Sequence, residues 1–88
     1  MTTVRLREPL KLLAGGRADH ALTGATVADV LGALEREQPA LAGWILDERG
    51  RLRRHINVYV GGERGGADTP VGPDDRVDVL PAISGGAR

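Results

Sequence analysis

The sequence predicts a single α+β domain in which a mixed sheet of four or five strands packs against one main helix. Alternating apolar and polar residues near both ends of the chain predict half-buried strands, and an apolar stripe with helical spacing follows residue 26. A strongly β-branched run begins at residue 55. The 88 residues are enough for one domain, and the absence of cysteine excludes a disulfide framework and a thiol nucleophile.

The N-terminal part of the chain predicts a hairpin of two strands. Val4 and Leu6 alternate with polar neighbours, as in a half-buried strand. Gly15-Gly16 supplies a turn, and residues 19–22 form the second strand. Because this second segment has little β preference of its own, its assignment depends on pairing with the first.

The main helix follows directly. Thr26 caps its start, and Asp29 stands three residues later, at the spacing of a capping box. One apolar stripe has helical spacing, and it consists of Val27, Val30, Leu31 and Leu34. Pro39 ends the helix, since proline disfavours helical angles at the preceding residue. A short second helical segment is expected over residues 40–46.

The second half of the chain predicts the remaining strands. Residues 55–60 are the clearest strand, and Gly61-Gly62 is a turn signal. Residues 62–66 are interpreted as a flexible turn, because they lack the ending and the helix of a phosphate-binding loop. A short element is expected near residues 69–71, and residues 76–80 form the closing strand.

This order of elements predicts a β-grasp, the ubiquitin-like arrangement, with the first and last strands side by side in the middle of the sheet. A small barrel is the alternative, but it has less use for a well-capped helix. The residues expected to face the core are Val4, Leu6, Val30, Leu31, Leu34, Leu41, Ile45, Ile56, Val58, Val60, Val77 and Val79.

The C-terminus carries the most informative motif. The predicted domain covers residues 1–80, and residues 81–88 are expected to be a flexible tail that contains Gly85-Gly86. Glycine has no Cβ, so it lets the backbone enter a narrow site closely. A diglycine after the last strand therefore indicates a reactive carboxylate, and the alternative is a disordered end without function.

Composition excludes several other classes of function. The 12 basic and 12 acidic residues balance, which argues against a nucleic-acid binder. No apolar run reaches membrane-spanning length, so we expect a cytoplasmic protein without membrane association, monomeric when free. His20 and His55 have no metal-ligand spacing with other residues, and no metal site is predicted.

Three segments carry a resemblance to a known family. The helix start Thr26–Leu31, the segment Arg53–Val60 and the ending Asp74–Gly86 resemble the MoaD/ThiS-type ubiquitin-like sulfur carriers, over nearly the whole chain. The Asn-Val-Tyr-Val strand and the Leu-Pro-Ala ending are most similar to the carriers that supply sulfur to a cysteine synthase.

The resemblance implies a carrier rather than an enzyme. An ATP-dependent activating enzyme would adenylate the carboxylate of Gly86, and sulfide or a persulfide would displace AMP to leave a thiocarboxylate. A sulfur-accepting synthase would take the sulfur, and the carrier would bind no cofactor, since ATP is used by the activating enzyme. The alternatives are the molybdopterin synthase small subunit, a protein modifier conjugated through Gly86, and an interaction domain with an inert tail.

One departure from the family concerns the last two residues. The family usually ends at the second glycine, but this chain continues with Ala87-Arg88. An internal Gly86 has a peptide bond in place of a carboxylate, so we expect a metallopeptidase to cut between Gly86 and Ala87. Ile83, Ser84 and Gly85 complete the tail that would enter a partner's active site.

Partner docking is expected on the uncovered face of the sheet beside the tail. Its predicted residues are Tyr59, Asn57, Leu80 and Pro81. Arg53 and Arg54 belong to a basic run before the central strand, which either docks on an acidic partner or is a solvated loop.

Overall fold

A five-stranded mixed sheet is covered on one face by the main helix in a computed structural model that describes residues 1–81. The predicted tail residues Ile83, Ser84, Gly85, Gly86 and Ala87 lie outside the described residues. The elements in chain order are β1 (Thr2–Leu6), α1 (Leu10–Leu13), β2 (Asp19–Leu22), α2 (Val27–Glu37), a 3₁₀ turn (Pro39–Leu41), β3 (Ile56–Val60), β4 (Glu63–Gly65) and β5 (Arg76–Pro81).

The strand order is β2-β1-β5-β3-β4, which confirms the predicted β-grasp. The first and last strands lie side by side and are parallel, with Val4 opposite Val77 and Leu6 opposite Val79. A parallel pair needs a crossover connection, and α2 is part of it. The N-terminal hairpin is also confirmed, because β1 and β2 pair antiparallel.

The β3–β4 connection differs from the prediction. Gly61 and Gly62 both have positive φ angles, 59° and 89°, which suits the two-residue turn that matches the twist of paired strands. The chain therefore continues as β4, and the interpretation of residues 62–66 as a flexible turn was wrong. The expected element near residues 69–71 is reduced to an isolated bridge between Thr26 and Pro70.

The start and end of α2 follow the sequence signals. The Thr26 hydroxyl accepts a hydrogen bond from the backbone N–H of Asp29 at 3.3 Å, and the Asp29 carboxylate accepts one from Ala25 at 3.2 Å. These contacts satisfy donors that a helix start leaves free. The helix ends at Glu37, before Pro39.

The short helices were predicted less well. The sequence reading missed α1 altogether, and the segment expected over residues 40–46 is helical only in the 3₁₀ turn. Gly43, with a φ of 84°, interrupts the helical angles. None of the helices in the described part of the chain has the length and apolar character needed to cross a membrane.

The core lies between the sheet and α2 as one cluster. Eleven of the twelve predicted core residues are buried, while Val60 is half-buried and packs against the cluster. The structure adds residues from α1 and its C-cap, from β2, from the start of α2 and from the segment after the 3₁₀ turn: Leu10, Ala14, Leu22, Val27 and Leu46. Most of these were missed because they stand outside the strict periodic patterns.

Candidate functional site

The face of the sheet opposite α2 is open, and its residues are the alternate positions of the three central strands. In β5 the buried Val77 and Val79 alternate with the partly exposed Asp78 and Leu80. The same alternation gives β1 and β3 one buried side and one partly exposed side. We call the partly exposed side the open face.

One row of polar residues crosses this face from edge to edge. Arg5 lies opposite Asp19 on one side and Asp78 on the other, and Tyr59 lies between Asp78 and Arg64. All five strands therefore contribute one residue at the same level of the sheet.

Arg5 and Asp19 form the best-defined ion pair in the row. The Arg5 Nε donates to Asp19 Oδ1 at 2.8 Å, and Nη2 donates to Oδ2 at 3.1 Å. The hydrogen bond from Arg5 lowers the pKa of Asp19, and the same bond raises the pKa of Arg5. Both groups thus keep their charges, and two-point contact fixes their direction on the face.

The next level of the sheet lies nearer the C-terminus and is more apolar. Leu80 is opposite Asn57, whose side-chain oxygen accepts a hydrogen bond from Arg64 Nη2 at 2.9 Å. A depression of about 260 Å³ extends along the open face between Arg76 and Leu80, and its other lining residues are Arg5, Arg7, Tyr59, Gly62 and Asp78. An aromatic ring, an aliphatic side chain and several guanidinium groups are the residue types that anchor protein interfaces.

The predicted docking residues separate into two groups. Tyr59, Asn57 and Leu80 lie on the open face. Pro81 pairs with Ile56 and has the register of the covered face, so it marks the base of the tail instead. Because β5 lies between β1 and β3, the chain beyond Pro81 continues from the middle of the sheet.

Arg53 and Arg54 are off the open face, in the segment before β3, and His55 separates them from the strand. The backbone N–H of Arg53 donates to Ile45 at 3.0 Å. The side chain of Arg53 is half-buried, and its Nε has no hydrogen-bond partner among residues 1–81. Arg54 is exposed, at the end of the sheet where Pro81 lies.

The sequence reading missed the arginines of the depression. Arg5 could have been placed on the open face, since it alternates with the core residues Val4 and Leu6. Its proximity to Asp78 and Tyr59 depends on the parallel pairing of β1 with β5, which joins residues more than 70 positions apart. That register is not written in any local pattern.

A second hollow lies on the other side of the molecule, against α2. It is larger, about 600 Å³, and is open toward the loop at residues 47–50. The carboxylate of Glu35 in this hollow already accepts backbone hydrogen bonds from Ile45 at 3.2 Å and Leu46 at 3.1 Å. Because this carboxylate has structural partners and the hollow lies against α2, on the side of the sheet opposite the open face, we place the candidate site on the open face.

The two histidines do not converge on a site. His20 is buried, and its Nε2 lies 2.9 Å from the carbonyl oxygen of Arg17. His55 is exposed at the start of β3. Within residues 1–81 no three His, Cys, Asp or Glu side chains lie close enough together to hold a metal ion.

Comparison with known proteins gives a consistent result. A profile described as the ThiS family matches residues 4–86. The "Sulfur carrier protein CysO" of Mycobacterium tuberculosis is 31% identical over 90 residues, covering 96% of this chain and 97% of the relative. The "Small archaeal modifier protein 3" of Haloferax volcanii is 38% identical over 66 residues, covering 70% and 71%.

The fold also matches a solved structure closely. A chain in the crystal structure of the Amycolatopsis orientalis BexX/CysO complex superposes with a TM-score of 0.85 and 30% identity. The superposition covers 94% of this chain and 97% of that chain.

Proposed function

This chain belongs to the ThiS family, and from that membership we propose that it is a sulfur carrier whose Gly86 carboxylate becomes a thiocarboxylate. The family match supplies the observation that carries the proposal, because it runs through Gly85-Gly86 and stops at residue 86. The near-terminal diglycine is thus part of the shared pattern, and Ala87-Arg88 is not. The chain acts as a carrier, and its partner enzymes supply the catalysis.

The first step is removal of Ala87-Arg88. Hydrolysis of the peptide bond after Gly86 gives the free carboxylate that later steps need, and we assign this step to a metallopeptidase. Gly86 then has the same position as the family's terminal glycine.

Activation and sulfur loading follow on a partner enzyme that binds ATP. The Gly86 carboxylate oxygen attacks the α-phosphorus of ATP, an acyl-AMP anhydride forms and pyrophosphate leaves. Hydrosulfide attacks the acyl carbon, the bond to AMP breaks and a proton passes to solvent. A persulfide in this role gives an acyl disulfide, whose S–S bond a thiol reductant cleaves to the same thiocarboxylate.

The open face is the surface we assign to partner docking in these steps. Tyr59 and Leu80 offer apolar contact area close to the base of the tail, and Arg5 and Arg7 line the same depression. A partner seated there would hold Pro81 at a fixed distance from its active site, so that the following residues reach the reacting groups.

The acceptor of the sulfur is a synthase that uses the thiocarboxylate as its sulfur source. The near full-length likeness to a protein named sulfur carrier CysO supports a role in cysteine or specialised-metabolite synthesis. The likeness to a chain in a BexX/CysO complex supports delivery by direct association with a partner protein.

The intact mass of the protein from its native source tests this proposal. We expect loss of Ala87-Arg88 together with the mass increment of one oxygen replaced by sulfur. A Gly86→Ala variant should acquire neither change, and a Ser84→Ala variant is its matched control. A full-length, unmodified mass under sulfur-demanding growth would contradict the carrier function, and a thiocarboxylate on Arg88 would contradict the trimming step.

A second candidate function is conjugation of Gly86 to lysine side chains of other proteins. The likeness to small archaeal modifier protein 3 favours it. It predicts lysines of cellular proteins that carry an isopeptide-linked Val77–Gly86 remnant, because the last tryptic cleavage site before Gly86 is Arg76. Mass spectrometry of tryptic digests would detect this remnant, and the Gly86→Ala variant would abolish it.

A further inference from the structure

The formal charge of the chain sums to zero, but the charges are separated along the strands. We call the end of the sheet where β1 ends at Leu6, β3 begins at Ile56 and β5 ends at Pro81 the tail end, because Ile56 lies opposite Pro81, from which the tail continues. The far end is formed by Thr2, Val60 and Arg76, at the opposite ends of the same strands.

The tail end carries an excess of positive charge. Arg7 directly follows β1, and the carbonyl of Ala18, next to Arg17, accepts a hydrogen bond from Leu6 at 2.7 Å. The α2 helix ends here too, since the following 3₁₀ turn packs against α1. Apart from the Arg5–Asp19 ion pair, six cations thus meet two carboxylates at this end: Arg7, Lys11, Arg17, Arg36, Arg53 and Arg54 against Glu8 and Glu37.

The far end carries an excess of negative charge. The carbonyl of Asp75 accepts a hydrogen bond from Thr3, and those of Ala67 and Thr69 accept bonds from the start of α2. Five carboxylates therefore collect at this end: Asp29, Glu63, Asp68, Asp74 and Asp75. They face the amino terminus and Arg76, whose guanidinium lies 3.4 Å from Asp78.

The separation is long enough to be felt by a partner. The six residues of β5 span about 17–20 Å, whereas the screening length at physiological ionic strength is about 8 Å. A partner that approaches one end is therefore subject to the local potential of that end, and not to the zero net charge of the whole chain.

The tail end also has exposed apolar side chains. Leu12 in α1 is 72% exposed and Trp44, just after the 3₁₀ turn, is 45% exposed. Arg53 lies beside this turn region, with Nη2 4.0 Å from the position that a Cβ on Gly43 would occupy. Its buried Nε, unpartnered among residues 1–81, is a donor that an incoming acceptor would satisfy.

We propose that the tail end is a docking collar, made of Arg17, Arg53, Arg54, Leu12 and Trp44, for a protein surface with carboxylates around an apolar ledge. The occupant is the entrance of the partner site that receives the tail, because a surface that accepts the chain beyond Pro81 must face this end. The inference rests on the proposed function. It adds that the charge separation orients the carrier as it approaches a partner, so that the tail end faces the partner surface.

A peptide titration tests the collar without any partner enzyme. The probe is a hexaglutamate peptide with blocked ends, added to the full chain and followed by backbone amide shifts. We expect shifts near Lys11, Arg17 and Arg54, none near Asp68, and an affinity about tenfold weaker in Arg17→Glu/Arg54→Glu. Neither exposed arginine lines the depression on the open face.

The matched control is Arg49→Glu/Arg51→Glu, which reverses two exposed arginines beside α2 and changes the net charge equally. It should bind the peptide like the wild type. Equal loss in both double variants, or binding confined to the loop at residues 47–51, would overturn the collar. So would binding of a DNA oligonucleotide or of anionic lipid vesicles in place of the peptide.

Sulfur loading in a lysate of the native source, supplied with ATP and sulfide, gives the second measurement. We expect the collar double variant to acquire sulfur about tenfold more slowly than the wild type, with the difference shrinking as salt rises. Equal loading of the two would overturn the collar and leave the proposed function standing. Failure of the wild type to load would contradict the proposed function, and the peptide titration would still decide about the collar.

Discussion

The two faces of the central strands are built from alternate residues of the same short segments, yet they differ in burial and in polarity. On the covered face, Val4, Val58 and Val79 are buried beneath α2. On the open face, Arg5, Asp78 and Tyr59 are the strand neighbours of these buried residues and are partly exposed to solvent. The covered face therefore determines whether the domain folds, while the open face is free to determine what it binds.

The largest change in stability should come from a substitution on the covered face. Leu34→Ala removes a fully buried side chain of α2, and we expect a loss of about 2–5 kcal/mol in the free energy of unfolding. Urea denaturation measures it. The control is Leu12→Ala, which trims an exposed leucine and should change stability by less than about 0.5 kcal/mol. A loss under about 1 kcal/mol for Leu34→Ala would show that this position is not core.

A smaller loss is expected where α2 holds the segment that follows it. Glu35→Ala removes the acceptor of two backbone hydrogen bonds, from Ile45 and Leu46. Leaving these donors unpaired should cost about 1–3 kcal/mol in urea denaturation. Glu37→Ala is the control, because Glu37 is exposed and its carboxylate accepts no such bonds within residues 1–81. Equal stability of the two variants would mean that water replaces the carboxylate without loss.

A substitution on the open face should change partner binding more than it changes stability. Leu80→Ala should lower the free energy of unfolding by no more than about 1 kcal/mol, because Leu80 is only half-buried. If the face docks partners, sulfur loading in a native lysate should slow about tenfold. Thr3→Ala, on the same face but away from the depression, should load normally. Normal loading of Leu80→Ala would place docking elsewhere.

The smallest effect is pH-dependent and lies outside both faces. The carboxylate of Asp47 accepts backbone hydrogen bonds from Arg51 and Arg49, and these bonds lower its pKa. A folded-state pKa below the unfolded value stabilises the fold above the unfolded pKa, and this contribution disappears as pH falls through the folded value. The stability gap between wild type and Asp47→Asn should therefore narrow from pH about 6 to about 3. A constant gap would contradict this reading, and Glu48→Gln controls for the change of charge.

The sequence predicted the covered face well and the open face only in part. The apolar spacing in α2 and the alternation in the strands identified most of the buried apolar residues, because burial follows from local periodicity. Tyr59 and Asn57 were placed correctly by the same alternation. Arg5, Arg7 and Asp78 were not singled out, since their convergence depends on the register between β1 and β5, which only the folded chain sets.

The errors in the fold occur where short segments depend on tertiary contacts. α1 has four residues, too few for a periodic signal, and it exists because Leu10 is buried in the core. β4 was hidden among glycines, and its pairing with β3 supplies what its own residues do not. The diglycine motif of the tail indicated the family from the sequence alone, although residues 82–88 lie outside the part of the chain that the structure describes.

The central place of β5 has a mechanical consequence. A pull applied to the chain beyond Pro81 acts along β5, which is bonded to β1 on one side and to β3 on the other. Strand hydrogen bonds lie across the direction of such a pull, so both ladders are loaded in shear and must give way together. A strand at the edge of the sheet would instead have a single ladder to resist the force. The tail is therefore attached to the strand at which a pulling force is least able to unfold the sheet.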